Sequence, residues 1–331
     1  MTGTTAEQPS LRRIGLFGGT GFVGSYLVDA LLASNFHPVV LVRNGSETKL
    51  RQLNRCTIVN GDIDDTDAIQ RVVKGSDAVI YNIGILREFP KRGITFARLQ
   101  DEAARRVIDT AAAAGVRRFL LMSANGVKPD GTAYQRSKYN AEAHLQATNL
   151  DWTIFRPSVL FGDPRGHMEF ATQLYREIVA MPMPAPLFYD GILPFGAGSQ
   201  QMSPIHVHDL ARVFIESLPQ RESIGRIIQL GGPQRLSWKQ ILNIIGKATG
   251  KRVLGVPTPA WSVKAVAGLL ASTDIMPVTR DQITMLMEGN TCDASEIFSH
   301  FGITPIPFDA EHLQYLNKAS ATGNRQGHPA P

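Results

Sequence analysis

Residues Ile14 to Gly24 read I-G-L-F-G-G-T-G-F-V-G, an apolar run that passes straight into a glycine-rich turn. The glycines Gly18, Gly21 and Gly24 are spaced G-x-x-G-x-x-G. Each has a task in a strand-turn-helix that receives a dinucleotide: a tight turn off the strand, close backbone approach to a pyrophosphate, and close packing of the next helix on the sheet. A helix expected over about Val23 to Ser34 would aim its N-terminal N–H groups and positive dipole end at the phosphates. Glycine triplets alone are weak signals, because loops collect glycine for turn geometry. Here a strand precedes, a helix follows and a second strand lies beyond.

Strand-like runs recur at Ile14 to Phe17, Pro38 to Val42, Cys56 to Asn60, Ala78 to Ile83, Phe119 to Ser123 and Trp152 to Arg156, with helical patterns between most of them. Helices are expected at Asp101 to Ala114, ended by Gly115, and at about Tyr134 to Ala147. Strands alternating with helices imply right-handed crossovers and a parallel sheet covered on both faces. The fold expected is therefore α/β: a Rossmann-type doubly wound parallel sheet over 13–160, then a smaller, interleaved substrate-side region over 161–317, where Gly and Pro recur from Gly162 to Pro204. Residues 1–12 and 318–331 are polar and read as disordered ends.

The chain has 331 residues, 43% hydrophobic and 19% charged, which is ordinary globular composition. The net charge of +5 comes from cations spread along the chain, so no nucleic-acid footprint is expected. Two cysteines, Cys56 and Cys292, lie far apart and fit a reducing compartment better than a disulfide or zinc framework. No window reaches the roughly 18 apolar residues of a membrane span, and Met1 to Arg13 lacks the apolar core of a signal. These features imply a cytoplasmic protein, at most peripheral at the inner face of a membrane.

The second strand ends V-V-L-V-R-N, which puts Arg43 and Asn44 where an acidic residue would bond the ribose of NAD. A guanidinium can fork onto a 2′-phosphate, so NADP(H) is expected ahead of NAD(H). Asp62, followed by Ile63, comes after the third strand. It could bond an adenine amino group, or equally cap the helix that begins near Asp65. Asn82 and Gly84, at the exit of the fourth strand, would bring backbone beside the nicotinamide, or form a simple turn.

Tyr134 and Lys138, in A-Y-Q-R-S-K, are four apart and share a helix face. An ammonium near a phenol favours the phenolate. Tyr134 would then exchange a proton with a substrate oxygen, Lys138 would also reach the ribose, and Ser123 would polarise the same oxygen.

With these residues in place, G-G-T-G-F-V-G, Y-Q-R-S-K, F-R-P-S-V-L-F-G (Phe155 to Gly162), P-I-H-V-H-D-L-A (Pro204 to Ala211) and L-G-G-P (Leu230 to Pro233), the chain resembles the extended or atypical short-chain dehydrogenase/reductase superfamily. N-I-G-I-L, Y-Q-R-S-K-Y-N-A-E, P-V-T-R-D-Q-I (Pro277 to Ile283) and F-G-I-T-P (Phe301 to Pro305) are most similar to its group of NADPH-binding accessory subunits of respiratory complex I and their bacterial relatives. The resemblance implies bound NADP(H) near Gly18, Thr20, Gly21, Phe22, Val23, Arg43, Asp62, Lys138 and the segment Arg156, Pro157, Ser158, Val159. In catalytic members the serine lies some two dozen residues before the tyrosine, whereas Ser123 is 11 before Tyr134. The group also holds proteins whose cofactor is structural, so Tyr134 reads either as an acid/base or as a retained cofactor contact.

Between Ile178 and Phe195 the chain is apolar and proline-rich, with Asp190 its only carboxylate besides the preceding Glu177. Such a run packs the smaller region onto the sheet, or forms a lid over a lipophilic substrate such as a quinone, or docks on a membrane complex. Ala260 to Ser272 offers a second apolar helix, expected to be buried and not to lie on a membrane surface, since it lacks a basic polar face. His206 and His208 flank a strand-like Val207 on one face, without a further ligand, which implies a structural pair and no metal. Three functions follow from these readings: an oxidoreductase on a lipophilic carbonyl or quinone-like compound, an NADPH-bound accessory factor of a respiratory or redox complex, and a nucleotide-sugar epimerase or dehydratase. Arg43 and the apolar segment count against the last.

Overall fold

The computed structural model describes residues 12–269 and 279–317. The expected disordered ends, apart from Arg12, lie outside this range, as do Leu270 to Ser272 of the second apolar helix and Pro277 and Val278 of the late motif. Arg12 itself is anchored, its N–H donating to Asp77 Oδ2 at 2.8 Å.

Six strands fall where the apolar runs predict: β1 (Arg13–Phe17), β2 (His37–Val42), β3 (Thr57–Asn60), β4 (Ala78–Tyr81), β5 (Arg118–Met122) and β6 (Asp151–Pro157). A seventh, Arg226–Leu230, joins the outer edge of β6, and all neighbours are parallel, with β4 beside β1 at the centre. That seventh strand is drawn from the later region, so the two regions interleave. Its sequence R-I-I-Q-L is mostly exposed, as suits an edge.

Alternation along the strands sorts their side chains onto two cores. Ile14 and Leu16 of β1 and Ile80 of β4 face one layer with Leu27 and Leu31 of α1 (Phe22–Ala33) and Phe214 of the helix Val207–Glu216. Phe17, Val79 and Tyr81 face the other, with α2 (Thr66–Val73), α3 (Ala103–Ala113) and α4 (Ala133–Gln146). A sheet buried on both faces explains the near-continuous apolar strands. α3 is preceded by a π turn over Ala97–Glu102, so the expected start at Asp101 falls inside wider-wound backbone. α4 starts at a capping box in which Thr132 Oγ1 accepts from Gln135 N–H and Gln135 Oε1 accepts from Thr132 N–H.

The later region has its own core around Phe161, Trp238, Ile241 and Phe308. Part of the proline-rich segment belongs to it: Ala185–Tyr189 is a strand paired in parallel with Gly255–Pro259, with Leu187 and Phe188 buried. Ile178 and Val179 pack on the same core, whereas 180–184 and 190–195 are exposed. The second apolar helix, described over Ala260–Leu269, corrects the expectation of burial at its start: Ala260 and Ala267 are covered, but Trp261 is largely exposed. Val207 is not a strand residue between two imidazoles. It opens a helix for which His206 is the N-cap, its Nδ1 accepting from His208 N–H, and burial lowers the His206 imidazole to about 4.

Candidate functional site

β1 and β4 lie side by side, yet the chain leaves β1 for one face of the sheet and β4 for the other. The crevice so opened at their C-terminal ends is where open α/β sheets take a ligand. Its floor is the glycine turn. Gly18 has φ +92°, and a Cβ there would sit 2.9 Å from the Asn82 carbonyl carbon. A Cβ on Gly24 would sit 2.0 Å from Gly18 O. Both glycines are therefore required by the protein's own packing. Gly21 is different: its φ of −85° is open to any residue, and a Cβ would meet nothing closer than 3.5 Å. It is also the N-cap of α1, with no side-chain cap and no acidic residue in the first turn, so the helix end is left to whatever lies above it. Thr20, Phe22 and Val23 surround it, half-buried.

Arg43 and Asn44 are exposed directly after β2, and Arg43 O closes a turn by accepting from Ser46 N–H at 2.9 Å. Asp62, at the end of β3, is not the cap of α2. That role belongs to Asp65, which accepts from Ala68 N–H at 3.0 Å. Asp62 Oδ1 instead accepts from Arg98 Nη2 at 3.3 Å, within a cluster in which Asp64 pairs with both Arg98 and Arg106. Ile63 is buried in the sheet core. Asn82 N–H donates to Phe17 O at 2.9 Å, knitting β4 to the glycine turn.

Beyond this turn the ends of β4 and β5 meet α4. Lys138 is buried, and its Nζ donates to Met122 O at 2.9 Å and Ile83 O at 3.3 Å. A Cβ on Gly84 would lie 3.4 Å from that nitrogen. Burial lowers the ammonium to about 8, against the opposing influence of Glu142. Glu142, fully buried one turn further along, holds Arg156 of β6 through Nε at 2.9 and 3.2 Å and through Nη2. Arg156 thus locks α4 to β6, while Pro157 and Ser158 run on to the later region: Ser158 Oγ donates to Asn290 O at 2.8 Å, and Val159 O accepts from Ile205 N–H.

The Tyr134 ring packs edge-on against Phe96, centroids 5.6 Å apart at 81°. Burial pushes its phenol up to about 12. The expected lowering by Lys138 is not present: burial alone shifts the phenol, and the ammonium donates to two main-chain carbonyls. Ser123, whose N–H donates to Phe155 O at 2.8 Å, is 4% exposed, and its Oγ has no hydrogen-bond partner. A buried hydroxyl left unpaired costs about 1–3 kcal/mol. The Met122 carbonyl that receives Lys138 immediately precedes this serine, so the two are brought together.

Three further groups shape the site, and only the third, which opens within the P-V-T-R-D-Q-I motif, stood out in the sequence. Gln100, buried in the π turn, donates to Ile85 O at 2.7 Å and accepts from Ser137 Oγ at 3.0 Å, fixing the β4 exit against α4. Asn125 Nδ2 donates to Asn290 Oδ1 at 2.9 Å. The helix Arg280–Glu288 lies across the short connection between Ser123 and Tyr134, its Glu288 accepting from Lys128 Nζ at 2.7 Å and Gln135 Nε2 at 2.8 Å. A single Gln or Asn carries no periodic signal, and only the fold pairs residues 160 apart.

The strand-glycine-helix entry, the crevice at the β1–β4 divide and the orphaned hydroxyl fit a nicotinamide dinucleotide. Residues 18–177 match the model of the NAD(P)H-binding family, and the whole has a Rossmann-type α/β fold. Among curated proteins the chain is similar to the mitochondrial NADH-ubiquinone oxidoreductase 40 kDa subunit of Neurospora crassa, 24% identical over 91% of this chain and 78% of that protein. It is also similar to a ceramide reductase of Caulobacter vibrioides, 26% identical over 74% of each. Among solved structures, the UDP-glucuronic acid 4-epimerase of Bacillus cereus in complex with NAD superposes with a TM-score of 0.70 at 17% identity, over 94% of this chain and 98% of that one.

Proposed function

We propose that the chain binds NADP(H) and reduces a lipophilic carbonyl or quinone-like compound. The observation that carries this reading is the buried, unpartnered Ser123 Oγ beside Lys138, a donor held ready for an oxygen that the protein does not supply. Gly18, Gly21 and Gly24 with Thr20, Phe22 and Val23 would hold the pyrophosphate, and Arg43 with Asn44 would take the 2′-phosphate. Asp62 would bond the adenine edge, and Asn82, Gly84, Lys138 and the Pro157 to Val159 segment would line the nicotinamide end. When bound, the nicotinamide supplies the hydride. Ser123 donates a hydrogen bond to the substrate oxygen, and Tyr134, protonated at neutral pH, gives that oxygen its proton. Lys138 holds the ends of β4 and β5 in register and lies within reach of the ribose. Apolar substrates are suggested by the exposed apolar side chains of the later region and by relatives whose names are ceramide reductase and divinyl chlorophyllide a 8-vinyl-reductase.

The test is fluorescence titration with NADPH and NADH, followed by oxidation of bound NADPH against a panel of quinones and long-chain carbonyl compounds. Consumption by one class, lost in Tyr134→Phe with binding retained, supports the reading. NADPH that binds but stays reduced before every compound refutes turnover. It would favour a second reading, a cofactor-bound accessory factor of a respiratory complex, for which Tyr134, uncoupled from Lys138, is the specific observation. No helix among the described residues is long and apolar enough to cross a membrane.

A further inference from the structure

Most of the large exposed apolar side chains among the described residues lie on or beside one strand pair, Leu53, Leu86, Met168 and Ile227 being the exceptions. Ile192 is 93% exposed, Phe195 80%, Met183 66% and Trp261 62%, with Leu254 and Val256 also open to solvent. The parallel pairing of Ala185–Tyr189 with Gly255–Pro259 lines them up. Ala185 N–H donates to Leu254 O at 2.7 Å, which places Met183 and Leu254 at one end. Tyr189 lies opposite Pro259, which places Ile192, Phe195 and Trp261 at the other, with Val256 between. Five paired residues span roughly 16 Å. Isolated exposed hydrophobes are ordinary, but a continuous set of this length marks a contact surface.

Charge decides what the surface contacts. The stretches 180–189 and 244–259 contain no carboxylate, and they carry Lys247, Lys251 and Arg252 beside the Leu254 end. All three cations are exposed, and none forms an ion pair among the described residues. Asp190, at the far end, is the one acid within 180–195. The prolines 182, 184, 186, 194, 257 and 259 stiffen the element, so holding it in place against a surface costs little conformational entropy. Protruding aliphatic tips, an exposed Trp and a cationic flank fit a fluid anionic surface, which needs no matching recess: apolar groups enter the headgroup boundary while the cations stay at the phosphate level.

We infer that the strand pair Ala185–Tyr189/Gly255–Pro259, with its Ile192–Phe195 tip, Trp261 and the Lys247–Lys251–Arg252 flank, docks the protein on an anionic phospholipid bilayer. The inference stands apart from turnover, and NADPH binding serves as a separate control for a folded cofactor domain.

The experiment is co-sedimentation of the full chain with phosphatidylcholine vesicles, with and without phosphatidylglycerol, at low and high salt. Binding is expected to require phosphatidylglycerol and to weaken with salt. Each cation near such a surface contributes about fivefold to the binding constant, so Lys251→Ala/Arg252→Ala should bind roughly 25-fold more weakly. Ile192→Ser/Phe195→Ser should also lose binding while retaining its melting temperature and NADPH affinity. On the unsubstituted chain, Trp261 emission should shift to the blue on addition of the anionic vesicles, and this part of the response should vanish in Trp261→Phe. Indifference of the unsubstituted chain to anionic vesicles overturns the inference, as does equal binding to neutral ones or unaltered binding by both double variants. Self-association without vesicle binding would assign the surface to a second copy of the chain and overturn it too.

Discussion

Two glycines of one motif should respond in opposite ways to the same substitution. In Gly24→Ala the new methyl would have to occupy a point 2.0 Å from Gly18 O and 2.7 Å from Gly19 Cα. Both are backbone atoms, so no rotamer change relieves the overlap, and α1 must move off the turn. Overpacking of this kind costs about 1–3 kcal/mol, which lowers the melting temperature of a chain this size by several degrees. In Gly21→Ala the methyl meets only Gly18 O at 3.5 Å, an ordinary contact, and φ and ψ of −85° and 178° suit alanine. Alanine is a poorer N-cap than glycine, but it also loses less chain entropy on folding; the two effects are each below about 1 kcal/mol and opposed. Stability should hardly change. If a pyrophosphate rests on the Gly21 backbone, however, the methyl stands between them, and affinity should fall at least tenfold. Thermal unfolding without cofactor and NADPH fluorescence titration read the two quantities separately. Gly21→Ala with unaltered melting and unaltered NADPH affinity would refute the placement of the phosphates over this turn.

Arg43→Ala removes a charge-assisted partner worth about 1.5–3 kcal/mol, so NADPH should bind roughly 10- to 100-fold more weakly while NADH is unaffected; parallel titrations decide it, and equal losses would remove Arg43 from the 2′-phosphate. Glu169, buried while accepting from Ala171 N–H at 2.8 Å and Thr172 N–H at 2.5 Å, has its carboxyl pushed by burial from the ordinary 4.5 up to about 7. The folded state therefore holds a proton that the unfolded state releases, and this contribution, complete below pH 4.5, is lost as pH rises toward 7, a change on the order of 3 kcal/mol. Glu169→Gln cannot ionise and keeps one of the two acceptor oxygens, so it should lower stability somewhat and flatten that part of the stability–pH curve; an unchanged slope would refute the assignment. Glu142→Gln leaves the Arg156 guanidinium without its counter-charge in a mostly buried setting, which should cost about 3–5 kcal/mol and lower the Lys138 ammonium further, since Glu142 opposes its desolvation; denaturant unfolding checks the first effect, and retention of full stability would show the pair to be dispensable.

The parts of this fold legible in the sequence are those whose physics is local. The six strands read correctly because each is a short apolar run bounded by polar or glycine residues, and α4 because a helical pattern runs from about Tyr134 to Ala147; the structure adds the Thr132–Gln135 capping box that starts it. The seventh strand could not be read in this way, since an edge strand with R-I-I-Q-L exposed has no apolar run to announce it. The same limit governs the site. Gly18 and Gly24 are glycine for reasons written into the turn itself, whereas Asp62 depends on Arg98, 36 residues away, and the cap it might have been is supplied by Asp65. Tyr134 and Lys138 show the distinction most clearly. Their four-residue spacing sets a shared helix face, but what the ammonium does is decided by which carbonyls β4 and β5 present to it. In this fold Ile83 O and Met122 O accept from it, and burial raises the phenol to about 12. Spacing puts the two residues on one helix face, and carbonyls at the ends of two distant strands decide which bonds the ammonium makes.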